Sequence, residues 1–371
     1  MSEIHTLYAI PHSLYSGRAR SYLIKNAIPY RELSTGHESF KADILPRAKL
    51  PTIPTLLTSQ GEVIRDGAAI IDHFEAANGR PCQPATARQQ IVSLLFDVIG
   101  AEGLMRPAMH YRWNYPDENL DFLHYHFLHS QRDTPEREAK TQHMMGRMRQ
   151  AGAAFGVSDS NHDLVEAHYL DFLSALDRHL IEVPYLLGWK PCIGDFGLLA
   201  PMYAHLGRDP KPLRIMQQQA IRVYRWVERM NRMEQDVPEY LNAGSDFLAD
   251  DEIPATLIEV LRVMAEDLVP ETRAAGRCIN NWLADNQPES GAAAERFLGM
   301  CEFSLRNQSM TAVAQPYRFY LLQRVQDLYA AFDAGQRASV DELMQACDMT
   351  EMLTLRLDRR LQRADNLEVW A

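Results

Sequence analysis

Ser13 and Ser16 stand where a hydroxyl group can meet an anion. They flank Leu14 and Tyr15, after a short apolar run (Ile4-His-Thr-Leu-Tyr8) and a Pro11-His12 turn, and before a helical pattern. A strand that hands over to a helix N-terminus gathers free backbone N–H groups and the positive end of the helix dipole, which favours an anion. Serine does not ionise at neutral pH, but it can donate a hydrogen bond to a thiolate that another molecule brings. A second set follows downstream: Lys49, Pro54 and the pair Asp66-Gly67. An X–Pro bond can be cis at modest cost, and a cis bond before Pro54 would turn the Ile53 N–H and C=O outward. His124, His126 and His129 suggest a metal, but no carboxylate or cysteine completes the set, so no metal is expected.

The elements that must hold these groups are legible over the first 80 residues. Ile28 to Leu33 reads as a second strand and His37 to Arg47 as a short helix. Leu50-Pro-Thr-Ile-Pro-Thr-Leu-Leu57 leads into a third strand, a turn at Gly61 precedes Val63-Ile64-Arg65, and Asp66-Gly67 opens an amphipathic helix through Ala77. The order is βαβ–α–ββα.

This stretch resembles the thioredoxin-like domain of the cytosolic glutathione transferase superfamily. The interval from Pro54 to Asp66 is that between the family's cis-proline and its Glu/Asp-Ser pair. Counted from Arg20, Ser13 falls at the family's catalytic Ser/Cys position and Ser16 at the second position of its Cys-x-x-Cys-type motif. The resemblance implies that glutathione is the cosubstrate, with Ser13 activating its thiol and Ser16 and Tyr8 as rivals for that role. A free thiol has a pKa of about 8.5. One hydrogen bond to a charged group is worth roughly 1.5–3 kcal/mol, enough to lower that value by about one to two units. Further implied contacts are Ile53 and Pro54 for the cysteinyl backbone, Lys49 for the glycyl carboxylate, and Asp66 with Gly67 for the γ-glutamyl end. The family normally has Ser where Gly67 stands. Its missing hydroxyl should cost about 1 kcal/mol, roughly fivefold in affinity, so Gly67→Ser is expected to tighten glutathione. Tyr15, Met109, Tyr111 and Trp113 are the residues expected to wall the electrophile pocket.

The 371 residues, 46% of them hydrophobic, suffice for two or more cored domains. A net charge of −11 argues against nucleic acid and anionic membrane surfaces as partners. No apolar run approaches the 18 or so residues of a membrane span, and the first residues lack the layout of a signal peptide, so a cytoplasmic protein is expected. Five scattered cysteines fit a reducing compartment.

A Gly/Pro-rich linker, Asn78 to Pro84, ends the first domain (1–80). Beyond it the periodicity is helical. Ile91, Leu94, Leu95, Val98 and Ile99 line one face of a long helix running toward Trp113, residues 116–159 read as helical, and Leu164 to Ile181 forms another amphipathic helix. Val183 to His205 resembles the family's second-domain signature, with Asp195 as the buried capping residue and Cys192 replacing the usual Ser/Thr. An all-helical second domain over 85–240 follows from this. Residues 241–371 exceed the family's length and read as a further helical extension, with Ser339 to Glu342 spaced like a capping box and Leu321, Val325, Leu328 and Phe332 on one face.

The resemblance therefore implies an enzyme that conjugates or isomerises a hydrophobic electrophilic small molecule with glutathione, as a homodimer unless the extension buries that interface. A catalytically silent binding or assembly module on the same fold is the alternative.

Overall fold

The computed structural model describes residues 4–371. In its first domain β1 (His5–Tyr8), α1 (Ser16–Lys25) and β2 (Tyr30–Leu33) form a parallel βαβ unit. A π-helical turn (Phe40–Ile44) and α2 (Leu45–Ala48) then lead to β3 (Thr55–Leu57), β4 (Val63–Arg65) and α3 (Gly67–Ala77). The sheet order is β2-β1-β3-β4, with β1 parallel to β2 and antiparallel to β3, and β3 antiparallel to β4. Side chains alternate across a sheet. Leu7 and Leu56 accordingly join Ala19, Tyr22, Leu23 and Ile70 in the main core, while Tyr8 packs on the other face with Phe40, Ile44, Ala48 and Val63. This is the thioredoxin-like arrangement expected from the sequence.

The second domain is helical throughout: α4 (Ala87–Val98), α5 (Met105–Trp113), α6 (Pro116–Ser130), α7 (Arg137–Ala154), α8 (His162–His179), α9 (Ile193–Ala204), α10 (Pro210–Gln219) and α11 (Ile221–Met230). One expectation changes here. The long helix toward Trp113 is interrupted by a π-helical turn, Ile99–Gly103, whose extra residue rotates the faces of α5 away from those of α4. Gly100 on this turn is needed sterically: a Cβ there would lie 2.0 Å from the Gly197 carbonyl oxygen of α9. At the start of α9, Asp195 accepts bonds from the Cys192 N–H (2.9 Å), the Leu186 N–H (3.1 Å) and the Trp226 indole (3.0 Å), so the cap forms despite the cysteine.

The extension contains α12 (Ala255–Asn286), α13 (Pro316–Ala331) and α14 (Ala334–Ala346), and also two hairpins absent from the sequence expectation, β5 (Met300–Leu305) with β6 (Gln308–Val313) and β7 (Leu361–Ala364) with β8 (Leu367–Trp370). Each hairpin turns on two left-handed residues, Arg306-Asn307 and Asp365-Asn366, the geometry of tight two-residue turns. The expected capping box at Ser339 gives way to one formed by Asp333 and Gln336, with bonds of 2.8 and 3.1 Å, which leaves Ser339 inside α14. The extension shares one hydrophobic core with the helical domain. Within that core Arg106 of α5 bridges Asp267 (2.8 Å) and Glu271 (3.2 Å) of α12, and Arg318 of α13 meets Glu271 at 2.9 Å. No helix among the described residues is long and apolar enough to cross a membrane.

Candidate functional site

The N-terminus of α1 and the β3 entry set the site. The Ser13 N–H donates to the Ile10 carbonyl and the Ser13 carbonyl accepts from the Ser16 N–H, so residues 10–16 wind directly into the helix. Arg112 of α5 fixes this loop. It donates to the His12 carbonyl (2.8 Å) while its fork grips Asp209 (2.6 and 2.9 Å). Ser13 is half-buried, and its hydroxyl has no partner among the described residues. Ser16 is fully buried, its hydroxyl also unpartnered. Tyr8 lies on the opposite face of the sheet, 2% exposed, its phenol on the Ser39 hydroxyl at 2.8 Å. The alternation of β1 carries Tyr8 away from the site.

The Ile53–Pro54 bond is cis. The Pro54 carbonyl accepts from the Asp66 N–H at 3.0 Å, whereas the Ile53 N–H and C=O make no hydrogen bond among the described residues. Asp66 has φ 87°, and its Oδ1 caps α3 through the N–H groups of Ala68 (2.9 Å) and Ala69 (3.2 Å). Burial works against its charge. The guanidinium groups of Arg363 and Arg18, a hydrogen bond from Tyr317 and the charge of Arg65 outweigh that and hold the carboxyl below the usual range.

A cleft of about 450 Å³ opens beside Ile53, Pro54 and Asp66; Ser13 and Ser16 are not among the residues that line it. Tyr15, Ile53, Pro54 and Asp66 line it from the first domain and Glu102 from the π-helical turn, while Arg296, Gln315, Tyr317 and Glu368 come from the extension. Of the polar groups that the sequence assigned to glutathione, Asp66 and Lys49 meet the chain itself, whereas the Ser13 hydroxyl and the Ile53 backbone do not, among the described residues. The Tyr317 hydroxyl donates to Asp66 Oδ2 at 2.8 Å. Lys49 Nζ lies 3.0 Å from Asp365. Arg65 pairs with Glu368 at 2.7 Å. Asn366 covers the edge of β4, accepting the Arg65 N–H (3.0 Å) and donating to the Val63 carbonyl (2.9 Å).

Gly67 has a steric reason. A Cβ there would sit 2.9 Å from Arg18 Cδ, because the buried Arg18 side chain crosses the start of α3 to reach Asp97. The expectation that a serine at 67 tightens glutathione therefore falls: the side chain would have to displace this ion pair.

Of the expected electrophile wall, Tyr15 alone reaches the cleft. Met109 and Tyr111 are buried in the core, Tyr111 stacked on Tyr115. Trp113 lines a separate hollow between α5, α6 and α7. The rotation at Ile99–Gly103 accounts for the difference, since the helical period was carried through it unbroken. The three histidines have separate partners: Glu138 for His124, Arg208 for His126 and the Tyr125 carbonyl for His129. Sequence reasoning missed Glu102, Arg296, Tyr317 and Asp365. Only Glu102 left a local signal, a lone acid between Ala101 and Gly103 in an apolar stretch.

Residues 7–82 match the family described as glutathione S-transferase, N-terminal domain. Comparison with curated protein sequences gives no match. Among solved structures the chain is similar to a possible glutathione S-transferase from Rhodopseudomonas palustris (16% identity, covering 67% of this chain and 99% of that one, TM-score 0.36). It is also similar to a glutathione S-transferase from Methylobacterium radiotolerans in complex with glutathione sulfonate (13%, 66% and 100%, TM-score 0.38), and to a glutathione transferase from Phanerochaete chrysosporium (12%, 63% and 98%, TM-score 0.45). Residues 7–82 are thus a domain of the glutathione S-transferase N-terminal family.

Proposed function

We propose that the cleft binds glutathione as an extended strand and that the protein transfers its sulfur to an electrophilic small molecule, acting in the cytoplasm as a homodimer. The observation that carries this reading is the unpaired Ile53 N–H and C=O beside the cis Pro54, on a cleft that also contains Asp66. A peptide can pair with that backbone as one more strand, with its ammonium group directed to Asp66. The free Ser13 hydroxyl at the α1 entry is the proposed donor to the sulfur. The thiol loses its proton to solvent, the thiolate forms the C–S bond, and the displaced electron pair leaves with the leaving group or moves into the electrophile.

The test is calorimetry with glutathione, together with thiolate absorbance of the complex as a function of pH. Micromolar to millimolar binding is expected, with the bound thiol pKa lowered, and Ser13→Ala should raise that pKa by about one to two units. No heat and no thermal shift at millimolar glutathione would sink the proposal. The silent-module reading has its own support: Tyr317 on Asp66 and Asp365 on Lys49 already occupy what glutathione needs. It gains if binding is absent or no electrophile is turned over.

A further inference from the structure

Glu102 sits on the π-helical turn Ile99–Gly103, a departure from regular helix of the kind that recurs at functional sites. Its side chain is buried and yet lines the same cleft as Ile53 and Pro54. Gln315 Nε2 donates to its Oε2 at 2.6 Å. The nearest guanidinium group, Arg318, stands 3.9 Å away and is committed to Glu271 (2.9 Å) and the Thr272 hydroxyl (3.0 Å). Glu102 is thus a buried acid on the cleft wall, with a donor amide and a guanidinium shared with Glu271 at the edge of ion-pair range.

The groups around it set its protonation. Burial first, and then the charge of Glu271 on α12, push the carboxyl up, while Arg318 on α13, Arg296 after α12 and Arg18 on α1 oppose; the balance lies at about 7. Tyr15 shares the cleft. Burial and the Glu102 charge push its phenol up to about 12, against the Arg296 guanidinium and Arg18, so it stays a neutral donor. At neutral pH much of Glu102 still carries its proton, in a cleft with a phenol and a cation beside it. Such a set serves an oxygen that becomes negative during reaction.

Resting on the sulfur-transfer reading above, we propose that Glu102 is the catalytic proton donor to an electrophile whose oxygen gains negative charge, a step that an α,β-unsaturated carbonyl compound serves to probe. The thiolate forms the C–S bond at the β-carbon, and the C=C π pair shifts to leave an enolate. The Glu102 O–H bond then breaks and its proton passes to the enolate, giving the saturated thioether. The carboxylate regains a proton from water, replacing the one the thiol released, so the net change is addition of S–H across the double bond. An aryl chloride needs no such proton, because chloride leaves with its electron pair.

The wild type and Glu102→Gln are compared on benzylideneacetone and on chlorodinitrobenzene, with glutathione binding measured by calorimetry. The ratio of enone to aryl chloride kcat/KM is expected to fall about a hundredfold in the variant, the scale of a lost general acid. In the wild type the same ratio should fall as pH rises through about 7, a limb absent from the variant. An unchanged ratio, or a wild-type ratio flat across that range, overturns the assignment. If glutathione binds and the aryl chloride reacts but the enone does not, Glu102 alone has been misread. If glutathione does not bind, the sulfur-transfer reading fails and this one falls with it. The wild-type profile decides the matter even where Glu102→Gln folds poorly.

Discussion

Tyr317→Phe isolates a single oxygen atom at the point where the extension meets the first domain. Its hydroxyl lies 2.8 Å from Asp66 Oδ2, the carboxylate oxygen not engaged in capping α3. A hydrogen bond to a charged group contributes roughly 1.5–3 kcal/mol. If the γ-glutamyl ammonium must displace it, that amount opposes binding, offset in part by the water bond the freed phenol regains. Allowing about half to survive gives near 1.1 kcal/mol, or about sixfold tighter glutathione in the variant. Arg363 and Arg18 remain, so Asp66 stays ionised. Its folded pKa is depressed, so the stabilisation it gives is fully present above its unfolded value near 4 and is lost only as pH falls through the lower folded value. The tightening should therefore be flat from about pH 5 to 8. Calorimetry with glutathione and with N-acetylcysteinylglycine, which has no ammonium group, is the assay. The gain must be confined to glutathione. An equal gain for both peptides, or none for either, refutes the idea that Tyr317 competes for Asp66.

Three further outcomes follow from the same contacts. Gly67→Ser should cost about 1–3 kcal/mol in urea unfolding, the scale of overpacking, without tightening glutathione, since its Cβ would meet Arg18 Cδ at 2.9 Å. Arg106→Leu leaves Asp267 buried without its partner and should cost about 3–5 kcal/mol, seen as a lowered Tm of the whole chain in one transition because the extension shares the core. Asn366→Gly keeps the left-handed turn and the backbone bond from Arg65 Nε but deletes the side-chain bonds to the Arg65 N–H and the Val63 carbonyl. It should speed amide exchange along β4 while leaving the β1–β3 amides protected.

The parts of the fold that could be read were those fixed by local rules. The first domain is built from short strands, an Asp cap and a proline at a set interval, and all of these are written in consecutive residues. Asp195 was legible for the same reason, since a cap acts over three or four positions, and Cys192 changes its partner without moving it. The two hairpins of the extension were also present in the pattern: Cys301, Phe303 and Leu305 alternate inward ahead of a tight Arg-Asn turn, and a helical expectation masked that period of two. Other features were not local at all. The π-helical turn at Ile99–Gly103 adds a residue to a helix without breaking its apolar run, so the faces of α5 could not be assigned by counting through it. Gly67 looked like a lost hydroxyl until Arg18, 49 positions earlier in the chain, was seen crossing it.

The cleft shows the same limit in its sharpest form. Asp66 is 251 positions from Tyr317, and Lys49 meets Asp365 from the far end of the chain. A motif names the groups that could hold a ligand, but not the groups the rest of the chain sets against them. The extension is tied down by the buried ion pairs of Arg106 and Arg318 and by Glu368 on Arg65, whereas the exposed Lys49–Asp365 pair at the rim of the site is of the weaker surface kind. Firm anchoring in the core and a lighter contact at the rim mean that a ligand entering the cleft would displace only the rim of the extension, not the whole of it. Substitutions at Asp365 should therefore change affinity more than stability, and those at Arg106 the reverse.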